Sequence, residues 1–196
     1  MSGKILEKIM NVIFALCGFA ALAFVALITV FLAASGIPAI GKIGFVKFIA
    51  GTVWAPTAAN PSYGILPFIL SSIWATGGAI VIGVPIGILC AVYIAKMAPK
   101  RIAAGLRSAV ELLSGIPSVV YGLVGMIIIV PFVREVFGLP DGANMFSAIV
   151  VLSVMILPSV ISVSETAIRA VPKEYEEGSL ALGATKTETV FNVIVP

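Results

Sequence analysis

The sequence predicts an all-α, polytopic membrane protein: a bundle of four transmembrane helices followed by a charged helical tail. Three observations carry that prediction. Of 196 residues, 60% are apolar and only 11% are charged, with a net charge of +3. A soluble domain carries about 25% charged residues. A water-facing surface this poor in charge would aggregate, so lipid is the solvent for most of the chain. The third observation is distribution: four intervals, 9–41, 48–95, 112–133 and 142–164, contain no Asp, Glu, Lys or Arg. Each exceeds the ~20 residues that carry a helix across a ~30 Å hydrocarbon layer.

The first span is expected at about 9–34. Lys4 and Lys8 followed by an apolar run imitate a secretory signal, but Ile9 to Ala34 is 26 residues long. A signal's apolar core has roughly 7–15 residues, so an uncleaved anchor is expected. The second interval is too long for one straight crossing. Pro56, Asn60, Pro61 and Gly64 mark its first third as loop, which leaves a helix at about 65–95. The third and fourth spans are placed at 112–133 and 143–164, and the tail at 165–196. All of it reads as one membrane domain, 1–196. Trp54 and Tyr63 fall where an interfacial aromatic belt is expected.

Basic residues set the orientation. With a cytoplasmic N-terminus, the inner segments hold Lys4, Lys8, Lys96, Lys100, Arg101, Arg107, Arg169, Lys173 and Lys186, leaving Lys42, Lys47 and Arg134 outside. Nine against three is a firm positive-inside bias. Within the spans, Gly77-Gly78, Gly83, Gly87, Gly122 and Gly125 read as surfaces for close helix packing, with Pro85 as a possible kink. Cys17 and Cys90 lie in apolar runs and read as small packing residues.

Several function classes drop out. There is no histidine, hence no His-metal site and no Ser-His-Asp catalysis within these residues. No cofactor or metal is expected. The basic residues are scattered rather than clustered, which argues against nucleic acid. No ionisable side chain lies deep in a span, against a proton-coupled carrier or voltage sensor. Gly178 to Thr185 has the glycine spacing of a phosphate-binding loop, but Ala184 stands where lysine is required and no strand precedes it. ATP is not bound that way.

The tail carries the most information. Pro172 suits a helix start, Gly183 a left-handed stop, and Thr185-Lys186-Thr187-Glu188 the capping box of a second helix. The segment 96–111 reads as a short basic connector. Glu165 and Arg169 are four apart and share a helix face, in the favourable order for an ion pair. Ser114, Ser118 and Tyr121 offer hydroxyls around a Gly-Ile-Pro bend, although such hydroxyls usually bond back to helix carbonyls.

The tail resembles the cytoplasmic motif of binding-protein-dependent ABC importer permeases, E-A-A, three residues, Gly, nine residues, I-x-L-P. Glu177-Gly178-Ser179 stands at E-A-A, Gly183 at the glycine followed by Ala184, and Val193-Ile194-Val195-Pro196 at the close. Three further segments sharpen the likeness: Tyr63–Ile69, Leu112–Leu123 and Ser162–Pro172. Together they look like the permeases of phosphate importers, the PstC type more than its PstA-type partner. The resemblance implies an inner-membrane transport subunit that performs no chemistry itself. It implies ATPase subunits that receive the 172–196 loop, a second, PstA-type permease subunit, an extracytoplasmic phosphate-binding protein and inorganic phosphate as cargo. A path for that anion needs donors and positive charge, which makes Arg169 and Glu165, with Ser114, Ser118 and Tyr121, the substrate-path candidates. The resemblance also implies two more spans after the Pro196 position. The alternatives are a permease for sulfate or molybdate and, further off, a membrane scaffold or enzyme.

Overall fold

The structure is a computed structural model that describes residues 2–195. It divides into two compact units, one up to Ile69 and one from Leu70 onward.

The first unit is dominated by α1 (Ser2–Ile43), which runs through Pro38 and past the Ala34 boundary expected from sequence. One proline removes a single backbone bond, and the apolar run on both sides supplies no competing turn. The stop comes at Gly44, whose φ of +91° is open to glycine and strained for other residues. At about 1.5 Å per residue, α1 is roughly 63 Å long, twice a hydrocarbon layer. A short α2 (Phe45–Ala50) leads into a hairpin of β1 (Trp54–Ala55) and β2 (Ser62–Tyr63), with Trp54 opposite Tyr63. Gly51 and Gly64 lie back to back, so a β-carbon on either would strike the other's backbone. The Trp54 ring meets Tyr63 and Phe68 edge-on, at centroid distances of 6.0 and 5.6 Å. The expected loop is therefore built as a hairpin with an aromatic cap.

The second unit is built on α3 (Leu66–Val92), which passes through Pro85 unbroken and widens at its end into a π turn, Tyr93–Met97. Next come α4 (Lys100–Ser114), α5 (Ser118–Val124), a π turn at Gly125–Ile129, and α6 (Val130–Phe137). Gly138, at φ +61°, turns the chain. The helix α7 (Met145–Ala170) starts at Asn144, whose side chain accepts from the Ser147 amide at 3.0 Å. Then follow α8 (Lys173–Ala181), α9 (Lys186–Thr189) and a π turn, Val190–Ile194. Among the described residues four helical stretches are long and apolar enough to cross a membrane: Leu6–Ile43, Leu66–Met97, Ser118–Phe137 and Met145–Ala170.

The glycines of α3 explain its packing. β-carbons at Gly78, Gly83 and Gly87 would collide with Ile149, Ile156 and Val160 of α7. Their absence lets those branched side chains seat directly on the α3 backbone, and such small-residue fit is how helices adhere where lipid removes the hydrophobic drive. Both partners advance in the same direction along the chain, so α3 and α7 run parallel, as two spans separated by one crossing must. Gly125 meets Val151 of α7 in the same way, whereas Gly77 and Gly122 face open space. The packing expectation holds for four of the six glycines. Cys17 and Cys90 are free and exposed, on outward surfaces rather than in a packed interior.

The best-buried cluster lies at one end of this unit. Ala91, Val92 and Ile94 of α3 and its π turn meet Ala103 and Val110 of α4, Ile161 and Ile168 of α7, and Val190 and Ile194. The segment expected to be a connector is thus largely an amphipathic helix, α4. The third span accordingly begins at Ser118 rather than 112, and the break at Gly115–Pro117 separates the two helices.

Candidate functional site

Charged groups gather around that cluster. Glu165 lies inside α7, which continues to Ala170 rather than ending at 164. Its carboxylate is buried, with 8% of the side chain exposed, and it holds two arginines. Arg169 donates through Nε at 2.8 Å, the pair expected from spacing. Arg107 of α4 donates through Nη2 at 2.5 Å and Nε at 3.2 Å, a contact that sequence spacing did not reveal. The hydrogen bond to Glu165, then its charge, raises the Arg107 pKa further, so this guanidinium stays charged. Two cations sharing one anion leave the triad with a net positive charge. It lines a cavity of about 230 Å³ together with Val110, Glu111, Ser162 and Thr166.

A second ion pair sits nearby. Lys96, in the π turn that ends α3, donates to Glu176 of α8 at 2.6 Å. Glu176 is therefore engaged, whereas Glu174 and Glu177 beside it are exposed. Lys96, Arg169, Lys173, Glu176, Glu177 and Leu180 line a recess of about 420 Å³.

The helix–glycine–helix segment forms as its sequence dictates. Gly183 has φ +89°. The Ala184 amide reaches back to the Ser179 carbonyl at 3.3 Å and the Gly183 amide to that of Leu180 at 3.0 Å. That bond pair closes a helix through a left-handed glycine. The capping box is complete: the Glu188 amide donates to Thr185 Oγ1 at 3.3 Å, and Glu188 Oε2 accepts from the Thr185 amide at 2.8 Å. The Thr185 amide, then its hydroxyl, holds the Glu188 carboxyl below its ordinary pKa. Ser179 Oγ and the buried Thr189 Oγ1, 2.9 Å apart, tie α8 to α9. At the tip Leu182 is 91% exposed. Gly178 is exposed, and Pro196 lies outside the described residues.

The hydroxyl candidates divide. Tyr121 donates to the Leu113 carbonyl at 2.8 Å across the Gly115–Pro117 break, so its phenol braces α5 against α4. Ser114 ends α4 and Ser118 begins α5; both are exposed, and neither is brought to the Glu165 cavity. Elsewhere the back-bonding habit holds, with Ser153 donating to Ile149 at 2.7 Å and Thr166 to Ser162 at 2.8 Å.

Lipid-length helices joined by small-residue seams, closed by a capped charged loop, define a polytopic membrane protein. The chain belongs to the family of binding-protein-dependent transport system inner membrane components, whose model matches residues 83–196. With four helices long and apolar enough to cross a membrane among the described residues, it is a multi-pass membrane protein of that family. Among individual proteins it is 38% identical over 182 residues to the probable ABC transporter permease protein YqgH of Bacillus subtilis, covering 92% of this chain and 59% of that one. It is 32% identical over 169 residues to the phosphate transport system permease protein PstC of Haemophilus influenzae, covering 76% and 53% respectively. An inward-facing structure of the MetNI methionine ABC transporter shares its fold, with a TM-score of 0.50 and 25% identity over 68% of this chain and 60% of that one. The chain spans about half to three-fifths of the curated relatives it matches.

Proposed function

We propose that the chain forms part of the membrane subunit of an ATP-driven phosphate importer, of the PstC type, and that its 172–196 segment docks on a separate ATPase. One observation carries the docking reading: a loop locked by a left-handed glycine and a complete capping box holds Leu182 almost fully in water. Pre-ordering lowers the entropic cost of association, and an apolar side chain displayed that way is an anchor. Glu177 and Gly183 stand at the positions the family motif prescribes, with Gly178, Ser179 and Ala184 around them. The phosphate assignment rests on the PstC relatives. The other subunits would be a PstA-type permease and an extracytoplasmic binding protein that delivers phosphate.

In this reading Arg169 and Arg107 offer positive charge to the passing anion, and Glu165 is the internal counter-charge that holds them between cycles. Ser114 and Ser118 flank the bend that begins the third span and are secondary candidates. The N-terminus is cytoplasmic, supported by the nine-to-three distribution of basic residues. Labelling of an introduced cysteine at position 104 by an impermeant reagent outside intact cells would overturn that sidedness.

The test of docking is Gly183→Val in the assembled importer. A β-carbon at positive φ costs about 1 kcal/mol or more. We expect lost ATPase co-purification or lost phosphate-stimulated hydrolysis, with membrane insertion retained. Survival of both association and stimulation would reduce the loop to a connector.

A further inference from the structure

The docking loop hangs from α7 by two residues, Val171 and Pro172. A push on α8 therefore reaches α7 directly through the chain. It has a second way in. Glu176 of α8 is held at 2.6 Å by Lys96, whose side chain is 19% exposed against 35% for the glutamate. Lys96 belongs to the π turn of α3, closed by the Ala98 amide on the Tyr93 carbonyl at 2.8 Å. In the same turn Ile94 is buried in the cluster shared with Ile168, Val190 and Ile194. The turn thus grips the core with one residue and α8 with another two positions on.

We propose that Lys96–Glu176 is a transmission strut, through which displacement of the docked α8 moves α3 together with α7. This rests on the reading of the 172–196 segment as the ATPase dock. Three features support it. Ile149, Ile156 and Val160 of α7 seat on the glycine face of α3, so a load applied to both ends moves them as one body. The recess of about 420 Å³ under α8 leaves room for the helix to tilt, and the pair ties two of its walls together. The Ser179–Thr189 bond and the Gly183 turn stiffen α8 and α9 into one piece, so the load arrives undissipated. The other cations lining the recess are less suited to the role. Arg169 is held by Glu165, and Lys173 sits on α8 itself, where a pair with Glu176 transmits nothing.

Lys96 and Glu176 are positioning residues, and the readout must separate transmission from assembly. The experiment uses the assembled importer in proteoliposomes, with its ATPase, binding protein and inorganic phosphate. Lys96→Met, Glu176→Gln and the exchange Lys96→Glu with Glu176→Lys are compared at matched membrane abundance. The strut requires both single variants to keep ATPase co-purification and ATP turnover while phosphate moved per ATP falls about fivefold. The exchange should recover most of that loss. An unchanged ratio in the single variants, or an exchange no better than they are, overturns the proposal. Gly183→Val keeps the two readings apart. If it abolishes ATPase association while Lys96→Met leaves the ratio intact, the strut fails and the dock stands. If Gly183→Val leaves association and stimulation intact, the dock itself fails.

Discussion

The seam between α3 and α7 and the loop made by α8 and α9 are both rigid, and they reach rigidity by opposite means. Along the seam glycines face Ile149, Ile156 and Val160, and the holding force is contact between backbones and branched side chains. In the loop almost everything is hydrogen bonding: a capping box, a left-handed closure and a Ser–Thr bridge. The difference follows from the solvent. In lipid an apolar side chain gains nothing by leaving its surroundings, so fit has to do the work. At a watery helix end the unpaired amides and carbonyls are the liability, and caps are the remedy.

Substitutions that exchange these devices sharpen the contrast. The largest effect should come from Gly83→Val, because its new β-carbon would sit 2.7 Å from Ile156 and 3.1 Å from the Ser153 carbonyl oxygen, which cannot rotate aside. Thermal unfolding in detergent should show a loss of about 2–3 kcal/mol. Gly77→Ala, with nothing within 4 Å, should show none. Equal effects would mean that the seam is not a matter of fit.

Glu165→Ala comes next. It releases two guanidiniums that are 43% and 47% exposed and can rehydrate, so the expected loss is about 1–2 kcal/mol rather than the full cost of a stranded buried charge. A loss above about 3 kcal/mol would show that the arginines stay trapped after the carboxylate goes.

In the loop, Gly178→Ala should gain about 0.5–1 kcal/mol. The position is helical and a β-carbon there meets nothing within 4 Å. A destabilised variant would mean that α8 depends on a close approach at this glycine.

The smallest effect is a pH response. Bonds from Thr185 lower the Glu188 pKa in the folded loop, so their contribution is present above the carboxylate's ordinary value and fades as pH falls through the lowered one. The protection of the Thr185 amide from hydrogen exchange, relative to an unstructured amide at the same pH, should fall across that acid window. In Glu188→Gln that fall should be absent. An identical profile in both proteins would remove the carboxylate from the cap.

The same contrast explains what could be read from the chain beforehand. Local devices are written in adjacent residues: Pro172, Gly183 and the Thr185–Glu188 box each announce themselves within four positions, and each forms. The four spans also follow from composition, apart from their ends. The first runs on past Ala34 because Pro38 alone does not stop a helix in an apolar run. The basic segment 96–111 hid α4, although Pro99 and the spacing of Ala103, Val110 and Leu113 carry a helical signal. Partnerships across the fold left no local trace. Arg107 and Glu165 are 58 positions apart, Lys96 and Glu176 80, and neither pair follows a periodicity. The Tyr121 bond is of the same kind, since its acceptor, the Leu113 carbonyl, lies eight positions back across the Gly115–Pro117 bend.

The wide turn at Tyr93–Met97 gives the gene an unusual lever. A π turn holds one more residue than the α turn it replaces, and an in-frame loss of one codon there would restore ordinary winding. Each residue of an α-helix accounts for about 100° of rotation and 1.5 Å of rise. Such a deletion would take one residue out of the turn that carries both Ile94 and Lys96. It would reset the angle between the residue that grips the core and the one that grips α8, while the glycine seam upstream kept its phase. Insertions and deletions at this spot therefore act as adjustments of angle, a kind of variation that point substitutions cannot reach.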